Sequence, residues 1–103
     1  MKKIILTVTL LALSSIAFAV PSSISTKIKN KAKQDFPNDY STQEYVIKNQ
    51  EQAYSQIQNY SYSGVPSSVI NKLKEKAENE YPIDFSTQKY VIDSQVESYK
   101  KVN

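Results

Sequence analysis

The side chains that could do chemistry in this chain are few, because the sequence contains no cysteine, histidine or tryptophan. All thirteen of its basic residues are lysine. Without thiols and imidazoles, the sequence offers no zinc, haem or iron–sulfur ligands, no disulfide and no serine–histidine triad. Carboxylates, amines and hydroxyls remain, and catalysis with them needs a shaped pocket that a chain of 103 residues can hardly enclose. We therefore predict a protein without cofactors or metal ions that is not an enzyme.

Carboxylates supply the one enzymatic alternative. Four acids occupy matched positions in the two halves of the chain: Asp35, Asp39, Glu80 and Asp84. A hydrolase with paired carboxylates would need one acid from each half to meet at a cleft. However, Lys31 and Lys76 each lie one helical turn before one of these acids, which favours ion pairs at the edge of an apolar face.

A second set of charges points to solvated helix faces. Glu44 and Lys48 are four residues apart, and their counterparts in the second half, Lys89 and Asp93, have the opposite order of charge. Either order of an i,i+4 ion pair is tolerated on an exposed helix face. We therefore predict that these four residues are exposed and have no functional role.

Six polar or aromatic residues break the apolar pattern and are the candidate interaction residues: Gln43, Gln50, Gln88, Gln95, Tyr60 and Tyr62. The glutamines fall within apolar helix faces, where an unpaired amide costs about 1–3 kcal/mol. They either bond to turn backbone or to each other and fix the register of the helices, or line an open groove for a partner peptide or sugar. The two tyrosines lie in a predicted loop, and tyrosine suits a surface that a partner covers.

These residues belong to two copies of one unit. Residues 20–54 and 65–99 align without a gap and are identical at 18 of 35 positions. A repeat of this length is typical of a supersecondary unit that stacks on its neighbour to complete a core.

The first half of each copy predicts an amphipathic helix. Apolar residues recur at every fourth position, at Ile24, Ile28, Ala32 and Phe36 and at Val69, Leu73, Ala77 and Tyr81. The helix is expected to begin after Pro21 or Pro66, at a pair of serines suited to N-capping, and to end at Pro37 or Pro82.

A second helix follows in each copy. Ser41 and Ser86 are the expected N-caps, and Glu44, three residues after Ser41, completes the pattern of a capping box. These helices should run to about Gln58 and Lys101.

The predicted fold is all-α, with two tandem helix-turn-helix hairpins packed as a small four-helix arrangement. The hairpins span residues 20–58 and 65–103, and residues 59–64 form a spacer loop with the only glycine in the chain. One hairpin buries too little apolar surface to fold alone, so the hairpins must pack on each other or on a second chain.

Residues 1–19 have the pattern of a bacterial signal peptide. A mostly apolar run, Ile4–Leu13, follows two lysines, and an Ala-Phe-Ala sequence predicts cleavage between Ala19 and Val20. The apolar run is too short to span a membrane comfortably, and an uncleaved anchoring helix is the alternative. We expect a periplasmic or secreted protein without stable membrane insertion after the signal is removed.

The charge of the exported chain limits its partners. Two of the thirteen lysines lie in the leader, so residues 20–103 carry eleven lysines against ten acidic residues, a net charge of +1. This balance and the absence of arginine argue against nucleic acid. We predict a protein-interaction or scaffolding module that binds an unknown protein or itself; the alternatives are a module that binds cell-wall glycan (peptidoglycan) and an enzyme inhibitor.

Overall fold

The computed structural model describes residues 20–103, which form four helices and contain no strand. The helices are α1 (Ser22–Asp35), α2 (Tyr40–Gln58), α3 (Ser67–Glu80) and α4 (Phe85–Val102). The all-helical prediction is therefore confirmed for this part of the chain. None of the four helices is long and apolar enough to cross a membrane. The predicted signal peptide, residues 1–19, lies outside the described residues.

α1 and α3 begin at prolines. Pro21 and Pro66 occupy the N-cap positions with φ of −56° and −60°, and no side chain caps either helix. The prediction that the following serines cap these helices is wrong. Proline occupies the cap position with extended ψ values of 144° and 145° and has no side-chain acceptor, so no side-chain oxygen bonds to the N–H groups of the first turn of either helix.

α2 and α4 begin with aspartate caps. Asp39 accepts hydrogen bonds from the backbone N–H of Thr42 (3.3 Å) and from its hydroxyl (2.7 Å). Asp84 accepts the same two bonds from Thr87, at 3.3 and 2.7 Å. The predicted serine caps and the capping box at Ser41 are therefore wrong, because the cap of each helix lies two residues earlier than expected, at Asp39 and Asp84.

The turns inside the two hairpins have the same backbone but different residues. Asn38 and Ile83 have positive φ values of 65° and 63°. Asparagine adopts this left-handed conformation readily, whereas a β-branched residue is strained there by about 1–3 kcal/mol. Ile83 is half-buried against the core and lies beside Ile28 and Val46 of the first hairpin. Apolar contact between the hairpins therefore offsets the strain at Ile83.

The two hairpins share one hydrophobic core. α1 packs on α2 and α3 packs on α4, while α2 and α4 pack on each other. The buried core residues come from both copies: Ile28, Ala53, Ile57, Val65, Ile70, Ala77, Phe85, Ile92 and Val96. Because α2 and α4 form the contact between hairpins, the residues where α2 meets the start of α4 decide how the two copies are joined.

Candidate functional site

Gln43 and Gln88 hold the turns of their own hairpins. Both side chains are buried, and each Nε2 donates a 2.7 Å hydrogen bond to a carbonyl oxygen, that of Phe36 in the first copy and of Tyr81 in the second. These carbonyls lie at the C-terminal ends of α1 and α3, where helix carbonyls lack partners within the helix. The two glutamines therefore act within each hairpin and are not available to a partner.

Gln50 joins the two hairpins. Its Oε1 accepts hydrogen bonds from the backbone N–H groups of Phe85 (2.6 Å) and Ser86 (3.1 Å), and its Nε2 donates to Asp84 Oδ1 (3.2 Å). The ring of Tyr54 meets the ring of Phe85 edge to face, with centroids 5.1 Å apart. We call these five residues the repeat junction.

The charge state of Asp84 is set at this junction. Burial raises the pKa of its carboxyl, but hydrogen bonds from Thr87 and Gln50 outweigh burial and leave the pKa below its usual value. Asp84 is therefore ionised near neutral pH and can accept from Gln50 and Thr87 together.

Within residues 20–103 the repeat junction forms once, although the sequence contains its parts twice. Gln95, the counterpart of Gln50, is exposed. Tyr40, the counterpart of Phe85, is 73% exposed, whereas Phe85 is 7% exposed. The contact between the two hairpins is therefore heterologous, joining different surfaces of the two copies, since a twofold arrangement would also have joined Gln95 to the start of α2.

A cleft opens where the spacer loop lies against α4. It has a volume of about 460 Å³ and is lined by Ser55, Gln56, Asn59, Tyr60, Ser61, Tyr62, Lys89 and Asp93. We call it the tyrosine cleft. The structure brings Tyr60 and Tyr62 to this cleft, and it brings none of the four candidate glutamines there.

Carboxylates of α4 fix both tyrosine rings. The hydroxyl of Tyr60 donates a 2.7 Å hydrogen bond to Asp93 Oδ1, and that of Tyr62 donates a 2.9 Å bond to Glu97 Oε2. Burial, followed by the bond to Asp93, raises the pKa of the Tyr60 hydroxyl far above its usual value. The Tyr60 hydroxyl therefore remains a protonated donor, and both rings are ordered before any partner arrives.

Lysines of α4 lie over the same rings. Lys89 Nζ is 5.8 Å from the centroid of Tyr60 and bonds to Asp93 Oδ2 at 2.7 Å, while Lys100 Nζ is 4.8 Å from the centroid of Tyr62. The prediction that Lys89 and Asp93 are exposed is wrong, because both residues are half-buried, with side chains 28% and 46% exposed. Tyr60 of the spacer loop covers part of this ion pair, since its hydroxyl bonds to Asp93 and its ring lies beside Lys89.

Ser55 is the residue that sequence reasoning missed. Its side chain is 4% exposed and lines the tyrosine cleft, yet its hydroxyl has no hydrogen-bond partner among the described residues. A buried hydroxyl without a partner costs about 1–3 kcal/mol. Comparison of the copies could not have singled it out, because Ser55 lies just beyond the aligned repeat and Lys100 occupies the matching position.

The candidate acids lie at the ends of the helices, and Asp35 and Asp84 are both near Lys31. Lys31 and Asp35 form the expected ion pair, with 3.0 Å between Nζ and Oδ2 and about half of each side chain exposed. Lys76 and Glu80 are the counterparts of this pair. Both are exposed, and within residues 20–103 they form no ion pair with each other. Asp39 and Asp84 are the caps of α2 and α4.

No protein-family model matches this chain, and neither the curated proteins nor the solved structures contain a significant match to it.

Proposed function

We propose that this protein is an exported, non-enzymatic helical module that binds another protein through the tyrosine cleft. The observation that carries this proposal is the buried, unpartnered hydroxyl of Ser55 in a cleft whose two aromatic rings are already fixed. The leader pattern of residues 1–19 supports export.

A protein segment suits the cleft for two reasons. The hydroxyl oxygen of Ser55 exposes less than 1 Å², so a bound segment reaches it once the side chain turns toward the cleft, and a bond to the segment's backbone N–H or C=O then removes the cost of its burial. The rings of Tyr60 and Tyr62 supply apolar contact area, and their hydroxyl bonds to α4 reduce the entropy that binding would otherwise lose. Tyrosine is among the residues enriched in the interfaces of protein complexes.

A second candidate is a cell-wall glycan. Uncharged hydroxyl and amide side chains border the tyrosine rings, namely Gln56, Asn59 and Ser61. Such groups match the hydroxyls of a sugar, and aromatic faces pack against sugar rings. The two candidates share one site and differ in the chemistry of the ligand.

The test compares binding by the native protein and by Ser55→Ala, Tyr62→Ala and Tyr45→Ala. Peptides selected from a displayed random library and purified peptidoglycan serve as the two probes. Tyr45 is the matched control, because it is 68% exposed and lies outside the cleft.

If the cleft binds protein, the selected peptides should bind Ser55→Ala and Tyr62→Ala with at least tenfold lower affinity than the native protein. They should bind Tyr45→Ala with unchanged affinity. If the native protein sediments with peptidoglycan and the same two variants do not, the cleft binds glycan. Binding of either probe that responds equally to all three substitutions would contradict a role for the cleft.

A further inference from the structure

We infer that this protein assembles head to tail with further copies of itself, repeating between chains the junction that joins its two hairpins. The head is the cap segment of the first hairpin, Asn38–Ser41. The tail is the outward face of the second hairpin, which comprises Leu73, Lys76, Val91, Gln95 and Tyr99. The inference does not depend on the tyrosine cleft.

The internal junction is the template. There the second hairpin presents its turn and the start of α4 to the first hairpin, where Gln50 bonds to two backbone N–H groups and to the cap carboxylate. Ile83, in the same turn, lies against α1 and α2 beside Ile28 and Val46. The contact thus combines hydrogen bonds from a glutamine to the start of a helix with apolar packing.

The head has the same backbone conformation as the start of α4, to which Gln50 bonds. The cap residues Asp39 and Asp84 have nearly equal φ values of −107° and −106°, and both accept from a threonine at 3.3 and 2.7 Å. Tyr40 and Ser41 are exposed, and no side chain of residues 20–103 accepts from their backbone N–H groups. The head therefore offers the groups that Gln50 contacts in the second hairpin, without a partner for them inside the described chain.

The tail has the same residues as the surface of the first hairpin that contacts the start of α4. Gln95 matches Gln50 and Tyr99 matches Tyr54, while Leu73 and Val91 match the two residues beside Ile83. Gln95 is exposed, and Leu73 is half-buried where its counterpart Ile28 is 2% exposed. Among residues 20–103, the second hairpin thus presents an uncovered surface whose counterpart on the first hairpin is covered.

Charges at the two ends are complementary. Lys31 of the first hairpin lies close enough to Asp84 to help lower the pKa of that carboxyl. In a junction between chains, Lys76 takes the place of Lys31 and Asp39 takes the place of Asp84. Lys76 is exposed and is not paired with Glu80, so it is free within the described residues to face Asp39 of a second copy.

Head and tail are different surfaces, so each contact leaves one of each unused, and chains can add until the assembly closes into a ring or continues as an open series. The head is more polar than the turn it imitates, with Asn38 for Ile83 and Tyr40 for Phe85. The junction between chains also lacks the covalent spacer that keeps the two hairpins at high effective concentration. Association therefore depends on concentration and is weaker than the contact within the chain.

The tail and the tyrosine cleft lie on opposite sides of α4. At about 100° per residue, Gln95 and Tyr99 project roughly opposite to Asp93 and Glu97, which hold the tyrosine rings. Assembly therefore leaves the cleft open, and the two surfaces can be tested separately.

The experiment is sedimentation velocity from micromolar to millimolar concentration. The protein is produced from the full chain and recovered as the cell leaves it, with its N-terminus determined by mass spectrometry. Tyr40→Lys blocks the head, Gln95→Lys blocks the tail by placing a cation at a helix N-terminus, and Tyr90→Lys is the control. Tyr90 is 73% exposed, as Tyr40 is, and lies outside both surfaces.

The native protein and Tyr90→Lys should form a series of species that grows with concentration. Tyr40→Lys and Gln95→Lys should each stay monomeric, with the dissociation constant raised at least roughly tenfold, the consequence of losing about 1.4 kcal/mol of contact. An equimolar mixture of these two variants should form a one-to-one dimer and nothing larger, because it contains one intact head and one intact tail.

Three results would overturn the inference: a native protein that is monomeric at millimolar concentration, a closed dimer that survives both substitutions, or a mixture of the two variants that stays monomeric. Circular dichroism checks that each variant is folded. If either lysine variant loses helix, Tyr40→Ala and Gln95→Ala replace the pair and are judged by the same three results.

Discussion

At the scale of single residues, equivalent positions in the two copies have different roles because their surroundings differ. Gln43 and Gln88 keep the same role, since each bonds to the turn of its own hairpin. Gln50 and Gln95 do not, because only Gln50 has a second hairpin beside it. The chemistry of a glutamine is the same in all four places, and packing decides whether its amide is used.

This difference gives the first prediction. Gln50→Leu leaves the N–H groups of Phe85 and Ser86 without their acceptor and should lower the free energy of unfolding by about 1–3 kcal/mol. Gln95→Leu changes an exposed side chain and should alter it by less than about 0.5 kcal/mol. Urea unfolding at low micromolar concentration measures both. Equal effects of the two substitutions would contradict the assignment of Gln50 to the junction.

Ser55 allows a second prediction at this scale. Ser55→Ala removes a buried hydroxyl that has no partner and places a better helix former within α2, so the free energy of unfolding should rise by about 1 kcal/mol. Ser61→Ala, at the exposed rim of the cleft, is the control and should change stability little. A clear loss of stability in Ser55→Ala would mean that the hydroxyl has an internal partner, and the argument for a ligand at the cleft would fail.

At the scale of helices, the starts of α2 and α4 are fixed by hydrogen bonds between residues close in the chain. Each is capped by an aspartate that accepts both the backbone N–H and the hydroxyl of a threonine three residues later. A negative charge at this position also interacts favourably with the helix dipole. The aspartate and threonine form a complete cap, so the serine between them is not required for it.

The caps predict how stability depends on pH. The pKa values of Asp39 and Asp84 are lowered in the folded chain below 3.8, mainly by threonine bonds at Asp39 and by threonine and Gln50 bonds against burial at Asp84. A lowered folded pKa gives stability that is fully present above the unfolded value and is lost as the pH falls through the folded pKa. Stability should therefore be flat near neutrality and decrease below about pH 4.

Thermal unfolding between pH 7 and pH 2, compared with Asp84→Asn, measures this effect. The variant should be less stable than the native protein at pH 7, and the difference should shrink as the pH falls through the lowered pKa of Asp84. A constant difference across the range would show that ionisation of Asp84 contributes nothing. Asp39→Asn tests the cap that has no partner in the other hairpin.

At the scale of the whole molecule, the two hairpins depend on one shared core. Phe85 of the second hairpin packs edge to face on Tyr54 of the first, and Ile28, Ile57 and Ile92 belong to the same cluster. A single hairpin of about 40 residues is near the lower limit of size for independent folding. The contact between hairpins is thus a condition for the fold of each.

Chains of residues 20–58 and 65–103 made separately should therefore be mostly unfolded, with far less helix by circular dichroism than residues 20–103 in one chain. Mixing them should restore part of the helix signal as concentration rises. If residues 20–58 alone are as helical as they are in the full chain, the shared core is not what stabilises them.

Export predicts one further observation. The protein recovered from a bacterium that secretes it should have Val20 as its first residue, by intact mass and terminal sequencing. A recovered chain that still begins at Met1 would contradict cleavage between Ala19 and Val20.

The sequence by itself determined the helices and the repeat. Apolar residues at every fourth position, prolines at matched places and a gapless duplication predict four helices, because these signals act between residues close in the chain. The caps of α2 and α4 were missed by two residues, because aspartate and serine are both good N-caps and only the backbone path decides between them.

Only the tertiary structure decided which of the repeated parts are used. The copies have the same glutamine and the same cap, yet Gln50 is bonded across the junction and Gln95 is exposed, since the hairpins of residues 20–103 meet at one junction and only Gln50 lies there. In the same way, the tyrosine cleft exists because the spacer loop returns to α4 and brings Tyr60 within 2.7 Å of Asp93, a residue 33 positions away. Contacts between distant residues leave no period in the sequence, so the pattern of residues could name Tyr60 and Tyr62 but could not show what lies beside them.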